Sequence, residues 1–324
     1  MSLLYSLVVD EKKFIDVDLV ISECGIFSDI ERNVVIKNIK NLATRYEKYE
    51  LIQIYNQILV SSKESDILMT TITCADAYKD ESTLGPLVDL LLTKNQADKS
   101  TDTDSLINLR VLCAKAISNY KDTSVVGSLL YCLNNKDEHY KVRLACADAL
   151  GKIGDKFAVT PLINLVQDDE EKSVYLKESA ASALGAIGDE RAVDPLVSIL
   201  EAKQGFLDKF SFLKERVIEA LGKLNLDNQK VLRALKKSLM DSSPMVRINA
   251  IEAIMNSNAE NAPELIKSCL KDDNEEVQKN ALIAIYNLEG KDILEEVLSS
   301  KIYSEYLKEE ARYLIEEYED DDYE

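Results

Sequence analysis

From Asp29 onward, apolar residues recur at the spacing of one helix face, about every 3.6 residues. Val35, Ile36, Ile39, Leu42 and Ala43 form one stripe, and Leu51, Ile54, Tyr55, Ile58 and Leu59 form the next. The pattern then settles into a fixed phase. Cys74, Ala116, Ala149, Ala183, Ala220, Ala253 and Ala284 hold one column, at spacings of 42, 33, 34, 37, 33 and 31 residues. Each lies late in one amphipathic helix. A second helix is predicted after each, over 84–93, 123–134, 157–167, 191–202, 228–240, 260–271 and 290–299. Neither helix of such a pair is stable alone, because its apolar stripe is buried only when units stack. The expectation is an all-α solenoid of stacked antiparallel helix pairs over residues 30–303. Residues 1–29 show no clean repeat and are expected to cap the first open face. Residues 304–324 are expected to form a C-terminal capping helix and an acidic tail.

The unit is clearest where it is written twice, as ALGKIGDKFAVTPL at 149–162 and ALGAIGDERAVDPL at 183–196. Small residues at 145, 147, 149, 151, 181, 183 and 185 predict close approach of neighbouring helices. Gly154 and Gly188 stand where a helix ends in the left-handed conformation. Asp122, Asp155 and Asp189 begin the turn and are expected to accept N–H bonds at the start of the next helix, as is Asp80. Pro86, Pro161 and Pro195 sit early in the second helix, where a missing N–H costs least. Six residues before the Ala column stand Arg110, Arg143, Lys177, Lys214 and Arg247, then Gln278. A cation at one place in successive units is expected to bridge to the turn Asp or to a carbonyl of a neighbouring unit, fixing the stacking angle.

With these residues in view, VRLACADALGKIGDKFAVTPLINLV at 142–166 resembles the HEAT-like repeat of the phycobilisome-lyase type. So does LKESAASALGAIGDERAVDPLVSIL at 176–200. The shared marks are the cation, the alternating small residues, the ALG-x-IGD turn and the AV-x-PL opening of the second helix. The resemblance covers roughly residues 66–300. It implies a right-handed superhelix whose repeats serve as a binding scaffold. Members include bilin lyases of the two-subunit type, although the repeat is not specific to them.

Composition narrows the function. A net charge of −19 opposes non-specific attraction to nucleic acid or anionic lipid. The six cysteines show no CxxC and no paired spacing, and read as small core residues of a reduced, cytoplasmic protein. No apolar run approaches the ~20 residues of a membrane span. The single His139 lies in a DEHY turn with no second His and no nucleophile pattern. No cofactor or metal is expected. The HEAT-repeat hydroxylases use several His-Glu pairs, and only Glu138–His139 stands here.

Two interruptions break the period. KNQADKSTDTDS at 94–105 reads as a solvated insertion. KQGFLDKFSFLKER at 203–216 holds three of the six Phe in the chain, and residues 203–237 carry nine Lys or Arg against four acids. Phe206, Lys209, Phe210, Phe212, Lys214 and Arg216 are therefore the candidate partner-binding residues, since aromatic anchors beside cations make interface hot spots. Both insertions are expected between the two helices of a unit, on one edge that takes an acidic or extended protein segment. Nine acids fall in residues 309–324; Tyr303, Tyr306, Tyr313 and Leu314 fit a last helix stripe, and the final DDDYE is expected to be a frayed, solvating tail. The functional expectation is a non-catalytic protein-binding scaffold or adaptor, monomeric by default. The alternative is a bilin-lyase-like or chaperone-like protein cradling a chromophore or a client.

Overall fold

The computed structural model describes residues 29–44, 46–93, 104–201, 211–224, 228–257 and 259–321. Among these there are 17 α-helices and no strand. The chain forms two compact units, Met1–Ala158 and Val159–Glu324. The expected N-terminal cap lies outside the described residues, apart from its last residue, Asp29.

The first unit contains α1 (Asp29–Asn41), α2 (Lys48–Ser61), α3 (Ser65–Asp76), α4 (Leu84–Leu92), α5 (Asp104–Tyr120), α6 (Val126–Asn134) and α7 (Tyr140–Ile153). Helices α1, α3, α5 and α7 pack side by side in one layer, and α2, α4 and α6 make the second. The degenerate first pair closes over Val35, Ile39, Leu51, Tyr55 and Ile67, all buried.

In the second unit follow α8 (Val159–Gln167), α9 (Val174–Ile187), α10 (Val193–Glu201), α11 (Ser211–Leu224), α12 (Gln229–Ser238) and α13 (Pro244–Met255). Then come α14 (Ala262–Ile266, extended by a 3-10 turn over Lys267–Lys271), α15 (Glu275–Glu289), α16 (Asp292–Ser299) and α17 (Glu305–Asp321). Helices α9, α11, α13, α15 and α17 form one layer of neighbours, and α8, α10 and α12 form the other. Each unit is thus a stretch of α-solenoid. Helix α17 takes the next place in the first layer, burying Leu307 and Ala311, and runs through Asp321; the last three residues of the expected tail lie outside the described residues.

The Ala-column helices can stack closely because their touching faces carry almost no side chain. A Cβ on Gly185 of α9 would lie 2.6 Å from Cα of Ala220 on α11, and one on Gly222 would lie 3.2 Å from Cβ of Ala253. Between the helices, Gly154 and Gly188 take φ of +80° and +73°. Lys79 and Lys121 hold the equivalent place at φ 49° and 54°, so the left-handed turn is kept even where glycine is not. The next residue is the Asp. Asp80, Asp122, Asp155 and Asp189 each accept the N–H two residues on, from Ser82, Ser124, Phe157 and Arg191 at 2.7–3.1 Å. That bond starts a 3-10 turn which leads into α4, α6, α8 and α10.

One expectation about the frame changes. The sequence unit pairs each Ala helix with the helix after it, whereas the closest hairpin packing joins it to the helix before it: α5 with α4, α7 with α6, α9 with α8 and α11 with α10. The turn after the Ala helix runs through a left-handed residue, a capping Asp and a 3-10 segment, which carry the chain on to the next hairpin. Accordingly the connections over 93–103 and 202–210 each follow a complete sequence unit, and they join the two helices of a packed hairpin, α4 to α5 and α10 to α11.

Candidate functional site

The cation column occupies the N-terminal part of each Ala helix, beside the connections that join the hairpins. Arg110 on α5 is 0% exposed. Its Nε donates to the carbonyl of Leu91 at 2.7 Å, and its two Nη atoms donate to the carboxylate of Glu138 at 2.8 and 2.7 Å. Arg143 on α7 donates from Nε to the carbonyl of Leu133 at 2.9 Å. Lys177 on α9 is buried.

In the second unit the contacts join into a chain. Lys214 Nζ donates to Asp241 at 2.8 Å; Arg247 donates to the Asp241 carbonyl at 2.8 Å and to the Asp272 carboxylate at 2.6 Å. Gln278 donates to the Asp272 carbonyl and accepts from Ser304, both at 2.6 Å. Carbonyls of neighbouring units are thus among the acceptors, but the carboxylates are not the turn residues. Asp122, Asp155 and Asp189 cap the 3-10 turns, while Glu138, Asp241 and Asp272 of the hairpin connections take the cations.

The sequence holds the signal for this, and it went unread. Six residues before the cation column stand Asp104, Asp137, Glu171, Asp208, Asp241 and Asp272, an acid in every unit. In the described geometry the acceptor is that residue at Asp241 and Asp272, and its neighbour Glu138 in the earlier unit.

Asp241 illustrates the energetics. Burial works against its ionisation, but the hydrogen bonds from Lys214 and from the Ser243 N–H, with the Lys214 charge, outweigh it and hold the carboxyl below the ordinary range. A depressed carboxyl contributes stability above its unfolded range, and that stability is lost as pH falls through the folded value. Asp241→Asn is therefore expected to cost about 1.5–3 kcal/mol at neutral pH, the range for a bond to a charged partner. Urea unfolding of variant and parent should converge as pH drops through the low carboxylate range; a gap independent of pH would show that the charge is not what Lys214 needs.

The candidate partner residues do not share one fate. Phe206, Lys209 and Phe210 lie outside the described residues. Phe212, at the start of α11, is 68% exposed. Lys214 is turned into the ladder, and Arg216 is bonded to Glu219 at 2.7 Å. Lys223 shares that carboxylate at 2.7 Å, and Lys230 pairs with Asp194 at 2.7 Å. The remaining cations of the basic stretch, Arg233, Lys236 and Lys237, are exposed on α12 in the other layer. The two-layer construction thus separates Phe212 on α11 from the exposed cations of α12.

Phe212 has company that the sequence reading did not assemble. Two residues before the cation stand Tyr175 on α9, Phe212 on α11 and Met245 on α13, which are 69%, 68% and 51% exposed. These three helices are successive neighbours, so the residues form one apolar row. The signal is a column of large apolar residues at a position that is Asn108, Lys141 and Glu276 in other units.

Elsewhere the described residues offer little chemistry. His139 is the N-cap of α7, its Nδ1 accepting the Lys141 N–H at 3.3 Å. Burial pushes the Cys113 thiol up to about 12, far from a reactive thiolate. Among the described residues no group of three or more His, Cys, Asp or Glu is placed to hold a metal ion, and no helix is long and apolar enough to cross a membrane.

Comparison with known proteins follows the same lines. The family profile of HEAT repeats matches residues 99–176 and 208–286, and that of the phycobilisome-lyase HEAT-like repeat matches 176–202, together more than half of the chain. No curated protein sequence matches. Among solved structures, Kap121p superposes with a TM-score of 0.50 at 14% identity, over 91% of this chain and 36% of that one. The complex of CpcE and CpcF of phycocyanin lyase from a Nostoc species gives 0.46 at 20% identity, over 81% and 94%. Human deoxyhypusine hydroxylase gives 0.34 at 16% identity, over 89% and 96%. At these identities the likeness to Kap121p speaks for the fold and nothing further. The repeats themselves decide the family: the chain belongs to the HEAT-repeat proteins, with a unit of the phycobilisome-lyase kind at 176–202.

Proposed function

We propose that the chain is a non-catalytic protein-interaction scaffold of the cytoplasm, with Phe206, Phe210 and Phe212 as anchors for its partner. The observation that supports this most is the exposed row of Tyr175, Phe212 and Met245. Three large apolar side chains held in water on adjacent rigid helices resemble the anchors of an interface rather than the scattered apolar residues of an ordinary surface. Replacing Phe206, Phe210 and Phe212 by Ser should remove specific proteins from an affinity purification of the native cell while leaving thermal unfolding unchanged. An unchanged partner list at unchanged stability would sink the reading. A second role, cradling a bilin or a client protein, draws on the 176–202 repeat alone. Incubating the purified chain with a free bilin and following its visible absorption separates the two, since only the cradle shifts the spectrum.

A further inference from the structure

The apolar row is accompanied by carboxylates in matching register. Glu178 stands one turn beyond Tyr175 on α9, and Glu215 one turn beyond Phe212 on α11; residues at i and i+3 share a helix face. Both carboxylates are half-buried, and neither has an ion pair among the described residues. The cation within their reach, Arg216, is already bonded to Glu219. Lys223 shares that carboxylate, and Lys279, further along the same layer, is bonded to Glu310 at 3.0 Å. At the next place in the row, on α15, stands exposed Glu276. Among the described residues the face thus offers apolar contacts beside negative charge, and its cations Arg216, Lys223 and Lys279 are each already paired. Burial raises the carboxyls of both Glu178 and Glu215, and Glu215 raises Glu178 further while Arg216 opposes it. These are carboxylates short of a counter-charge.

Resting on the scaffold reading above, we infer that this row takes an extended, basic segment of a partner protein, its apolar side chains on Tyr175, Phe212 and Met245 and its Lys or Arg side chains against Glu178 and Glu215. The spacing of the helices specifies the segment. Packed helices stand about 8–10 Å apart, and an extended chain in the polyproline II conformation advances about 3.1 Å per residue and returns to the same face every third residue, so one helix is crossed in about three residues. The partner therefore carries an apolar residue at every third position with cations between. An acidic segment fits worse, because among the described residues the exposed cations Arg233, Lys236 and Lys237 stand on α12 in the other layer.

The test uses the full chain and two fluorescein-labelled peptides, one with leucine at every third position and lysine between, the other with glutamate in place of each lysine. Fluorescence anisotropy should show binding of the lysine peptide that weakens with salt, and little binding of its counterpart. Phe212→Ser and the double change Glu178→Gln with Glu215→Gln should each weaken it by about thirtyfold, the scale of an interface hot spot. All of these side chains are partly or largely exposed, so thermal unfolding reports whether each variant is intact. Equal binding of the glutamate peptide, or lysine-peptide binding indifferent to these changes, overturns the assignment. So does a dimer in sedimentation that Phe212→Ser abolishes while neither peptide binds, which would give the row to a second copy of the chain. Failure of the peptides while the triple serine variant still loses its cellular partners rejects the basic segment and leaves the scaffold standing.

Discussion

Arg110→Ala is expected to destabilise the first unit by about 3–5 kcal/mol, the cost of stripping one partner from a buried ion pair. The guanidinium is fully enclosed and has three of its donors engaged, with the Leu91 carbonyl and both oxygens of Glu138. Glu138 is itself 7% exposed. Without Arg110 its carboxylate stays buried and loses two charge-assisted bonds, keeping the His139 N–H at 2.9 Å, and the Leu91 carbonyl loses the Arg110 donor. Neither group can reach water without opening the layer between α4, α5 and α6. The double change Arg110→Met with Glu138→Gln should recover most of the loss, because removing both charges removes the desolvation penalty along with the attraction. Urea midpoints at constant slope measure both. If the double variant proves as unstable as the single, the pair acts through packing and not through charge.

The second large effect is expected at Gly185. Alanine there gains helix propensity, worth about 1 kcal/mol over glycine in a helix interior. Against this stands the contact: the new Cβ would lie 2.6 Å from Cα, 2.9 Å from Cβ and 3.2 Å from the carbonyl oxygen of Ala220. Those are mostly backbone atoms, which cannot rotate aside, so α9 and α11 must separate. Overpacking of this kind costs about 1–3 kcal/mol, and Gly185→Ala should be destabilising despite the propensity gain. Two controls bracket it. At Gly222 the nearest atoms, of Ala253, are 3.2 and 3.3 Å away, and Ala should be nearly neutral. At Gly127 nothing lies within 4 Å, and Ala should stabilise. A series in the order Gly127, Gly222, Gly185 of rising cost confirms that backbone approach sets the stacking distance, whereas three equal gains would refute it.

Much of this was legible from apolar periodicity. The helix expected over 191–202 is observed as a 3-10 turn and α10 over 190–201, and that expected over 260–271 as α14 and its 3-10 extension over 262–271. Periodicity works here because each helix buries one face, and the face determines the phase. What was hidden depended on relations longer than a unit. Lys214 meets Asp241 27 residues on, Arg247 meets Asp272 25 on, and Arg110 meets Glu138 28 on. Each of those acids, taken alone, looks like an ordinary solvated turn residue. The +5 charge of residues 203–237 misled in the opposite way. Short sequence distance made Phe212 and Arg233 look adjacent, but α11 and α12 belong to different layers. The row of Tyr175, Phe212 and Met245 shows the converse, with residues over thirty positions apart made neighbours by the stack.

The chain of bonds from Lys214 to Ser304 bears on how the second unit comes apart. A linear array unfolds according to the strength of the joints between neighbours. Bonds to a charged partner contribute about 1.5–3 kcal/mol and neutral ones about 0.5–1.5. The joints made by Lys214 and Arg247 are charged, while those made by Gln278, to the Asp272 carbonyl and to Ser304, are neutral. Replacement of one cation by glutamine therefore leaves the last joint of this bond chain neutral, with the partly exposed pair of Lys279 and Glu310 at 3.0 Å as its charged tie. Helix α17 is expected to lose amide-exchange protection before α11, α13 and α15 do, and equal protection across the four helices would refute it. The helices that carry Phe212 and Met245 lie inward of that end, so their spacing is expected to persist while the end opens and closes.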